Sequence, residues 1–373
     1  MYTVDSGALP KRVFYADGKV IKWTEDIFSC QKASHTEYLA NFEGRSCMSG
    51  DVALVAITGA TGFVGSAVVR RLIERTGHSV RVAVRGAYAC SSERIKVVSA
   101  QSLAPDNQWS DLVTGAHVVI HCAARVHVLN ETADEPDQEY FRANVTATLN
   151  LAEQAAAAGV RRFIFLSSIK ANGEFTHPGA PFRADDPCNP LDAYGVSKQK
   201  AEEGLRELSA RSGMQVVIIR PVLVYGPGVK ANFKSMMRWL DKGLPLPLGS
   251  INNRRSLVAV DNLADLAMVC VDHPAAGDQT FLVSDGDDLS TTRLLREMGK
   301  ALGKPARLLP VPAGLLKSAA ALLGKKAFSQ RLCSSLQVDI SKTCTMLDWH
   351  PPVSIEHAMQ DTARYYLEHD KHD

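Results

Sequence analysis

One stretch limits the folds open to this chain more than any other: Val52 to Val69, reading VALVAITGATGFVGSAVV. Its first part, Val52 to Ile57, is an unbroken apolar run of the kind that forms a strand buried on both faces. The run breaks at Thr58-Gly59, and from Phe63 the apolar residues return at helical spacing. Gly59, Gly62 and Gly65 each remove a Cβ where one would obstruct. In a strand–turn–helix unit the first permits a tight turn and the second lets backbone N–H groups approach a phosphate. The third lets the helix pack close to the strand. The helix N-terminus, with its unpaired N–H groups and macrodipole, then favours an anion. The predicted occupant is the pyrophosphate of a dinucleotide, bordered by Thr61, Phe63 and Val64. The plainer alternative is an ordinary glycine-rich turn.

From Asp51 onward, apolar runs alternate with helical segments. Strands are expected at Leu54–Thr58, Ser79–Val84, Val97–Val98, His117–Cys122, Arg162–Ser167, Gln215–Arg220 and Thr280–Val283, with helices at 64–75, 138–158, 194–211 and 261–272. That alternation implies an α/β fold, a Rossmann-type doubly wound parallel sheet covered on both faces. After Tyr225-Gly226-Pro227-Gly228 the pattern loosens and prolines multiply. The expected organisation is a cofactor-binding domain over 51–225 and a smaller C-terminal α/β substrate-binding portion over 226–373, partly interleaved with it. Residues 1–50 form an extension, poorly structured apart from a hairpin expected around Asp17-Gly18. Met48 falls just before the first strand, so residues 1–47 are expected to be dispensable for activity. Leu315 to Leu323 is apolar and alanine-rich and reads as a buried helix, with membrane contact the weaker alternative.

Composition removes several classes of function. Forty-two lysines and arginines against 40 acids leave a net charge of +2, which offers neither a basic field for nucleic acid nor an acidic tail. The eight cysteines are scattered with no Cys-x-x-Cys pair, a pattern of reduced thiols rather than a metal site. No apolar run reaches the roughly 18 residues that suggest a membrane span, and the start shows no secretion signal. A cytoplasmic protein is expected.

Chemistry-bearing residues follow the strands. Arg85 stands twenty residues beyond Gly65, at the end of the second strand. An acid there would bond the ribose 2′-hydroxyl of NAD, whereas a guanidinium suits the 2′-phosphate of NADP. NADP(H) is therefore the preferred cofactor, with NAD(H) open and a solvent-facing Arg85 the plain alternative. Small residues Ala123 and Ala124, just past a strand end, would let the cofactor lie flat. Asn144 opens an apolar-periodic segment and reads equally as a helix cap or a cofactor contact. A strand ends at Ser167-Ser168, and Tyr194-Gly-Val-Ser-Lys198 puts a phenol and an ammonium on one helix face. At about 6 Å and an effective dielectric near 20, the ammonium would favour phenolate by about 3 kcal/mol, or about two pK units. That would bring Tyr194 towards proton exchange, with Ser168 bonding the substrate oxygen.

At these residues the chain resembles the extended short-chain dehydrogenase/reductase family, in its nucleotide-sugar epimerase/dehydratase/reductase branch. The resemblance spans roughly 52–370. It rests on Thr58-Gly-Ala-Thr-Gly-Phe-Val-Gly65, His121-Cys-Ala-Ala124, Leu166-Ser-Ser168, Tyr194-Gly-Val-Ser-Lys198, Arg220-Pro-Val-Leu-Val-Tyr-Gly-Pro-Gly228 and Arg255-Ser-Leu-Val-Ala-Val-Asp-Asn-Leu-Ala-Asp265. It implies Ser168, Tyr194 and Lys198 as catalytic residues, with Lys198 also on the nicotinamide ribose and Pro221 bordering the nicotinamide. It further implies Asn232 and Arg255 as contacts to a sugar-nucleotide diphosphate, and a homodimer. Two departures matter. Gln101-Ser102 replace the acid that usually meets the adenine, so no adenine contact is expected there. Ile169 and Lys170 replace the Asp-Glu pair of 4,6-dehydratases, which removes the acid and base that elimination needs.

Two enzyme readings survive. One is reduction of a UDP-4-keto-6-deoxy-N-acetylhexosamine, giving UDP-N-acetyl-quinovosamine, a reading favoured by Arg85 and by resemblance to such reductases. The alternative is a UDP-glucose or UDP-N-acetylglucosamine 4-epimerase with the same three catalytic residues. A non-catalytic NADP-binding sensor is the third reading, and retention of the Ser–Tyr–Lys set counts against it.

Overall fold

The computed structural model describes residues 15–16, 19–20, 52–88, 92–100, 103–126, 135–322, 324, 330 and 332–370. The chain divides into two compact units, Met1–Asp51 and Val52–Asp373. In the first, β1 (Tyr15–Ala16) pairs antiparallel with β2 (Lys19–Val20), at the place expected for the hairpin. The turn residues Asp17 and Gly18 lie outside the described residues, as do Met48, Gln101, Ser102 and three of the cysteines.

The second unit is built on a seven-stranded parallel sheet. Its strands are β3 (Leu54–Thr58), β4 (Ser79–Val84), β5 (Ile95–Ser99), β6 (Val118–His121), β7 (Arg162–Leu166), β8 (Gln215–Pro221) and, later in the chain, β11 (Thr280–Val283). Their order is β11-β8-β7-β6-β3-β4-β5. The chain leaves the sheet centre at β3, moves one way through β4 and β5, then restarts beside β3 at β6 and moves the other way. This doubly wound order places a crevice beyond the C-terminal ends of β3 and β6, where the winding reverses. The central strands are buried along nearly their whole length, which explains their unbroken apolar runs.

Helices cover both faces. Phe63–Arg75 packs with Val260–Asp272 on one side, while Ala147–Ala157 and Ala193–Ser212 lie on the other. The helix Val260–Asp272 and strand β11 come from beyond residue 226 yet complete the first sheet layer. Later residues also form a three-stranded sheet, with β9 (Leu223–Tyr225) parallel to β10 (Arg255–Ala259) and β12 (Asp288–Leu289) antiparallel to it. These strands, two to five residues long, were not among those expected. Helices Ala231–Asp241, Thr291–Ala301 and Ile355–Tyr365 enclose a second core around Tyr225, Phe233, Met237 and Met298.

One expectation is overturned here. Residues Ala313–Leu322 do form a helix, but it is not buried: Leu315 is 64% and Leu322 89% exposed. Among its described side chains, Ala313 and Leu316 pack against the second core. Among the described residues, no helix is long and apolar enough to cross a membrane.

Candidate active site

A cleft of ≈540 Å³ opens at the crevice the topology predicts. Gly59, Thr61 and Gly62 line it from the first turn, Arg85 from the end of β4, and Ala123 and Ala124 from the end of β6. The glycines act as their spacing implies. Gly59 has φ +72°, and a Cβ on it would lie 2.7 Å from the Ala123 backbone nitrogen. A Cβ on Gly65 would lie 2.1 Å from the Gly59 carbonyl oxygen, so helix and turn touch backbone to backbone. Gly62 caps the helix Phe63–Arg75 without any side-chain hydrogen bond. The first helical bond runs from Ser66 N to Gly62 O at 2.9 Å, so the N–H groups of Phe63, Val64 and Gly65 precede the helical ladder. A turn opened by two glycines, a helix N-terminus with no side-chain cap and the guanidinium of exposed Arg85 in one cleft fit a dinucleotide phosphate.

Next to this cleft the three expected catalytic residues converge. Ser168 follows β7, and its Oγ accepts from Lys170 N at 3.2 Å. It also shares a side-chain hydrogen bond with the Tyr194 hydroxyl. Tyr194 is the second residue of the helix Ala193–Ser212, and Lys198 lies one turn on. The Lys198 ammonium donates to Leu166 O at 2.8 Å and stands 4.4 Å from the Phe165 ring centroid and 5.9 Å from that of Tyr194. One helix face and one strand end thus build the constellation.

Its electrostatics differ from the solvated pair assumed for the sequence. Burial pushes the Tyr194 phenol well above its ordinary value, with the Asp192 charge also raising it and the Ser168 hydrogen bond lowering it. Burial pushes Lys198 down to about 8, opposed by the charge of Glu202. The expected depression of Tyr194 is therefore absent in this state. Desolvation disfavours the charged form of each group and is the largest cause of both shifts. Behind the site, fully buried Glu202 accepts from Ser167 Oγ at 2.5 Å and pairs with Arg220 at 2.5 Å. This pair ties β7, β8 and the tyrosine helix together.

A family model described as the NAD dependent epimerase/dehydratase family matches residues 55–284. The chain is also 46% identical over 315 residues to a UDP-glucose 4-epimerase of Vibrio cholerae, covering 84% of this chain and 95% of that protein. The chain belongs to the NAD dependent epimerase/dehydratase family. A more distant relative, at 28% identity over 252 residues, is the N-acetyl-alpha-D-glucosaminyl-diphospho-ditrans,octacis-undecaprenol 4-epimerase of Escherichia coli O157:H7, with 64% of this chain and 75% of that protein covered. Among solved structures, a UDP-glucose 4-epimerase from Thermotoga maritima shares the fold with a TM-score of 0.66 at 22% identity, covering 84% of this chain and 99% of that one.

Within this epimerase/dehydratase framework the remaining expected residues fall in different places. Asn144 does not start a helix. The helix that begins at Pro136–Phe141 continues through a π turn, Arg142–Thr146, into Ala147–Ala157, and Asn144 sits buried inside that turn. Its amide accepts from Arg125 N at 2.8 Å and donates to Arg125 O at 3.0 Å and Ser197 Oγ at 3.0 Å. It therefore pins the loop after β6 to the tyrosine helix; π turns of this kind recur at functional sites. Pro221 ends β8, Asn232 is exposed at the start of Ala231–Asp241, and Arg255 begins β10. These three lie outside the lining of the cofactor cleft. Arg255 donates to Ser334 O at 3.2 Å, and burial lowers its guanidinium from the ordinary value. The cleft is also lined by Trp109, Cys122, Arg125, Glu139 and Arg142, which spacing had not singled out. They come from three segments far apart in sequence: the start of Ser110–Val113, the loop after β6, and the helix that carries the π turn.

Proposed function

We propose that this chain is a nucleotide-sugar 4-epimerase acting on UDP-hexoses with a nicotinamide dinucleotide cofactor. The observation that carries the reading is the 46% identity to a UDP-glucose 4-epimerase over 95% of that protein's length. The convergence of Ser168, Tyr194 and Lys198 beside the glycine cleft supports it. In this reading residues 51–225 hold the cofactor, and 226–373 close over the sugar nucleotide. Gly59, Thr61, Gly62 and the N–H groups of Phe63, Val64 and Gly65 bind the pyrophosphate, and Ala123 and Ala124 leave room for the ring system. Asn232 and Arg255 hold the sugar-nucleotide diphosphate.

When bound, the nicotinamide supplies two-electron oxidation and its reversal at carbon 4 of the sugar. Tyr194 takes the proton of the carbon-4 hydroxyl and later returns it to the same oxygen; hydride would leave carbon 4 from one face and come back to the other, so no cofactor would be consumed. Ser168, already bonded to the Tyr194 hydroxyl, orients the same oxygen. Lys198 supplies the positive charge that offsets the phenolate as the proton leaves. Elimination of water is disfavoured in this reading. Ile169 is buried, and Lys170 is held by Asp192 and by Glu174 at 3.2 Å, so no carboxylate pair follows Ser168.

A net 4-keto reductase using NADPH is the second reading, favoured by Arg85 in the cleft wall. The test is incubation of the purified protein with NAD or NADPH and a panel of UDP-hexoses, including a UDP-4-keto-6-deoxy sugar. Interconversion of UDP-glucose with UDP-galactose, or of their N-acetyl forms, at constant cofactor absorbance supports the epimerase. Stoichiometric NADPH loss with the keto sugar alone overturns it in favour of the reductase, and cofactor binding without turnover of any sugar points to a sensor.

A further inference from the structure

Lys170 follows Ser168 by two residues, and the structure gives it a specific task. Its backbone N–H donates to Ser168 Oγ, while its ammonium reaches Asp192 and, at 3.2 Å, Glu174. Asp192 is the N-cap of the tyrosine helix, with its second oxygen accepting from Gly195 N at 2.7 Å. The two segments also meet through their backbones. A Cβ on Gly195 would lie 2.7 Å from the Lys170 carbonyl oxygen, so only glycine permits this approach directly after Tyr194. Two adjacent pieces of chain, one bearing Ser168 and the other Tyr194, are thus joined by an ion pair, a cap and a close backbone contact.

We propose that Lys170 and Asp192 are positioning residues that lock the Ser168 turn onto the first turn of the tyrosine helix and set the charge balance around the Tyr194 hydroxyl. The proposal rests on the epimerase reading for its catalytic consequence, but the charge balance belongs to the protein alone. Several groups face Tyr194. From its own helix come Asp192 and Lys198, with Glu202 one turn behind the lysine. From the turn after β7 comes Ser168, while Lys170, paired with Glu174, reaches this group through its ion pair with Asp192. From the helix Pro136–Phe141 comes Tyr140, whose ring meets that of Tyr194 edge-on at 6.2 Å, and whose own face carries the Arg125 guanidinium at 5.7 Å. Among these, Asp192 opposes phenolate and Lys170 neutralises Asp192. Removing either partner should shift Tyr194 in opposite directions, which loss of a merely structural contact does not do.

The experiment compares Lys170→Met, Asp192→Asn, the double variant and Lys170→Arg, each checked for folding by thermal melting. Asparagine retains the capping oxygen, so Asp192→Asn removes charge while keeping the helix start. The first readout is the tyrosinate absorbance of the NAD-saturated protein against pH, taken as a difference from Tyr194→Phe. The second is the acid limb of the kcat–pH profile with UDP-glucose. Lys170→Met is expected to move both midpoints up by about one pH unit, the effect of a charge on the order of 10 Å away at an effective dielectric near 20. Asp192→Asn should move them down by a similar amount, the double variant should lie near the wild type, and Lys170→Arg should restore it. Unmoved midpoints, or single variants that shift in the same direction, overturn the proposal. If Lys170→Met fails to fold, Asp192→Asn alone decides, because it must move the midpoint down. A wild type that turns over no UDP-sugar sinks the epimerase reading, while the absorbance readout still judges the pair.

Discussion

Gly65→Ala offers the sharpest test of how the cofactor cleft is built. An added Cβ would sit 2.1 Å from the Gly59 carbonyl oxygen and 2.7 Å from its carbon, both backbone atoms. Ordinary contact begins at 3.4 Å, so about 1.3 Å of relief is needed. No rotamer change can supply it, and the helix Phe63–Arg75 must move away from the turn. Overpacking of this kind costs about 1–3 kcal/mol, and the backbone contact puts Gly65 at the upper end. Alanine's better helix propensity returns up to about 1 kcal/mol, leaving a net loss of about 2 kcal/mol. The same movement displaces the N–H groups that meet the pyrophosphate, so NAD affinity should fall by at least about tenfold. Urea unfolding and calorimetric NAD titration read the two effects separately. Two neighbours calibrate the argument. On Gly62 the nearest atom to an added Cβ is 3.1 Å away, so Gly62→Ala should change stability little yet weaken NAD binding. Gly77 has nothing within 4 Å, and Gly77→Ala should leave binding intact and stability unchanged or up to about 1 kcal/mol higher. A Gly65→Ala protein with wild-type urea midpoint and wild-type affinity would refute the reasoning.

Three further outcomes follow from the site. Tyr194→Phe should lower kcat by about 10²–10⁴-fold while calorimetry shows NAD affinity within about twofold of wild type; comparable turnover would remove the phenol from the reaction. Lys198 has a folded pKa of about 8 against 10.5 for the free side chain, so between those values the unfolded chain holds more protons and stability rises with pH. The cost of burying its charge, about 3 kcal/mol, is fully present below pH 8. The stability gap between Lys198→Met and wild type in urea should therefore narrow from pH 8 to 10.5, and a pH-independent gap contradicts the buried ammonium. Glu202→Gln leaves the Arg220 guanidinium, 2% exposed, without its carboxylate, and should cost about 3 kcal/mol in urea unfolding; a loss under 1 kcal/mol would show the pair contributes little.

The chain by itself determined the parallel sheet and the place of the cofactor cleft, because each depends on local properties. A strand buried on both faces must be continuously apolar, as Leu54–Thr58 and Arg162–Leu166 largely are, and a missing Cβ at Gly59 or Gly65 is visible without coordinates. Tyr194 and Lys198 were legible for the same reason, since one helical turn places them on one face. Burial and long-range contact decided the rest. Desolvation, which raises the Tyr194 phenol and lowers Lys198, depends on what the whole fold packs around them. Asn144 reads as a helix start until Arg125 and Ser197, nineteen and 53 positions away, take up its amide inside a continuing helix. The exposed face of Ala313–Leu322 and the Lys170–Asp192 pair, 22 positions apart, likewise leave no periodic mark. A side chain's neighbours across the fold are set by how the layers close, and composition along the chain carries no record of that.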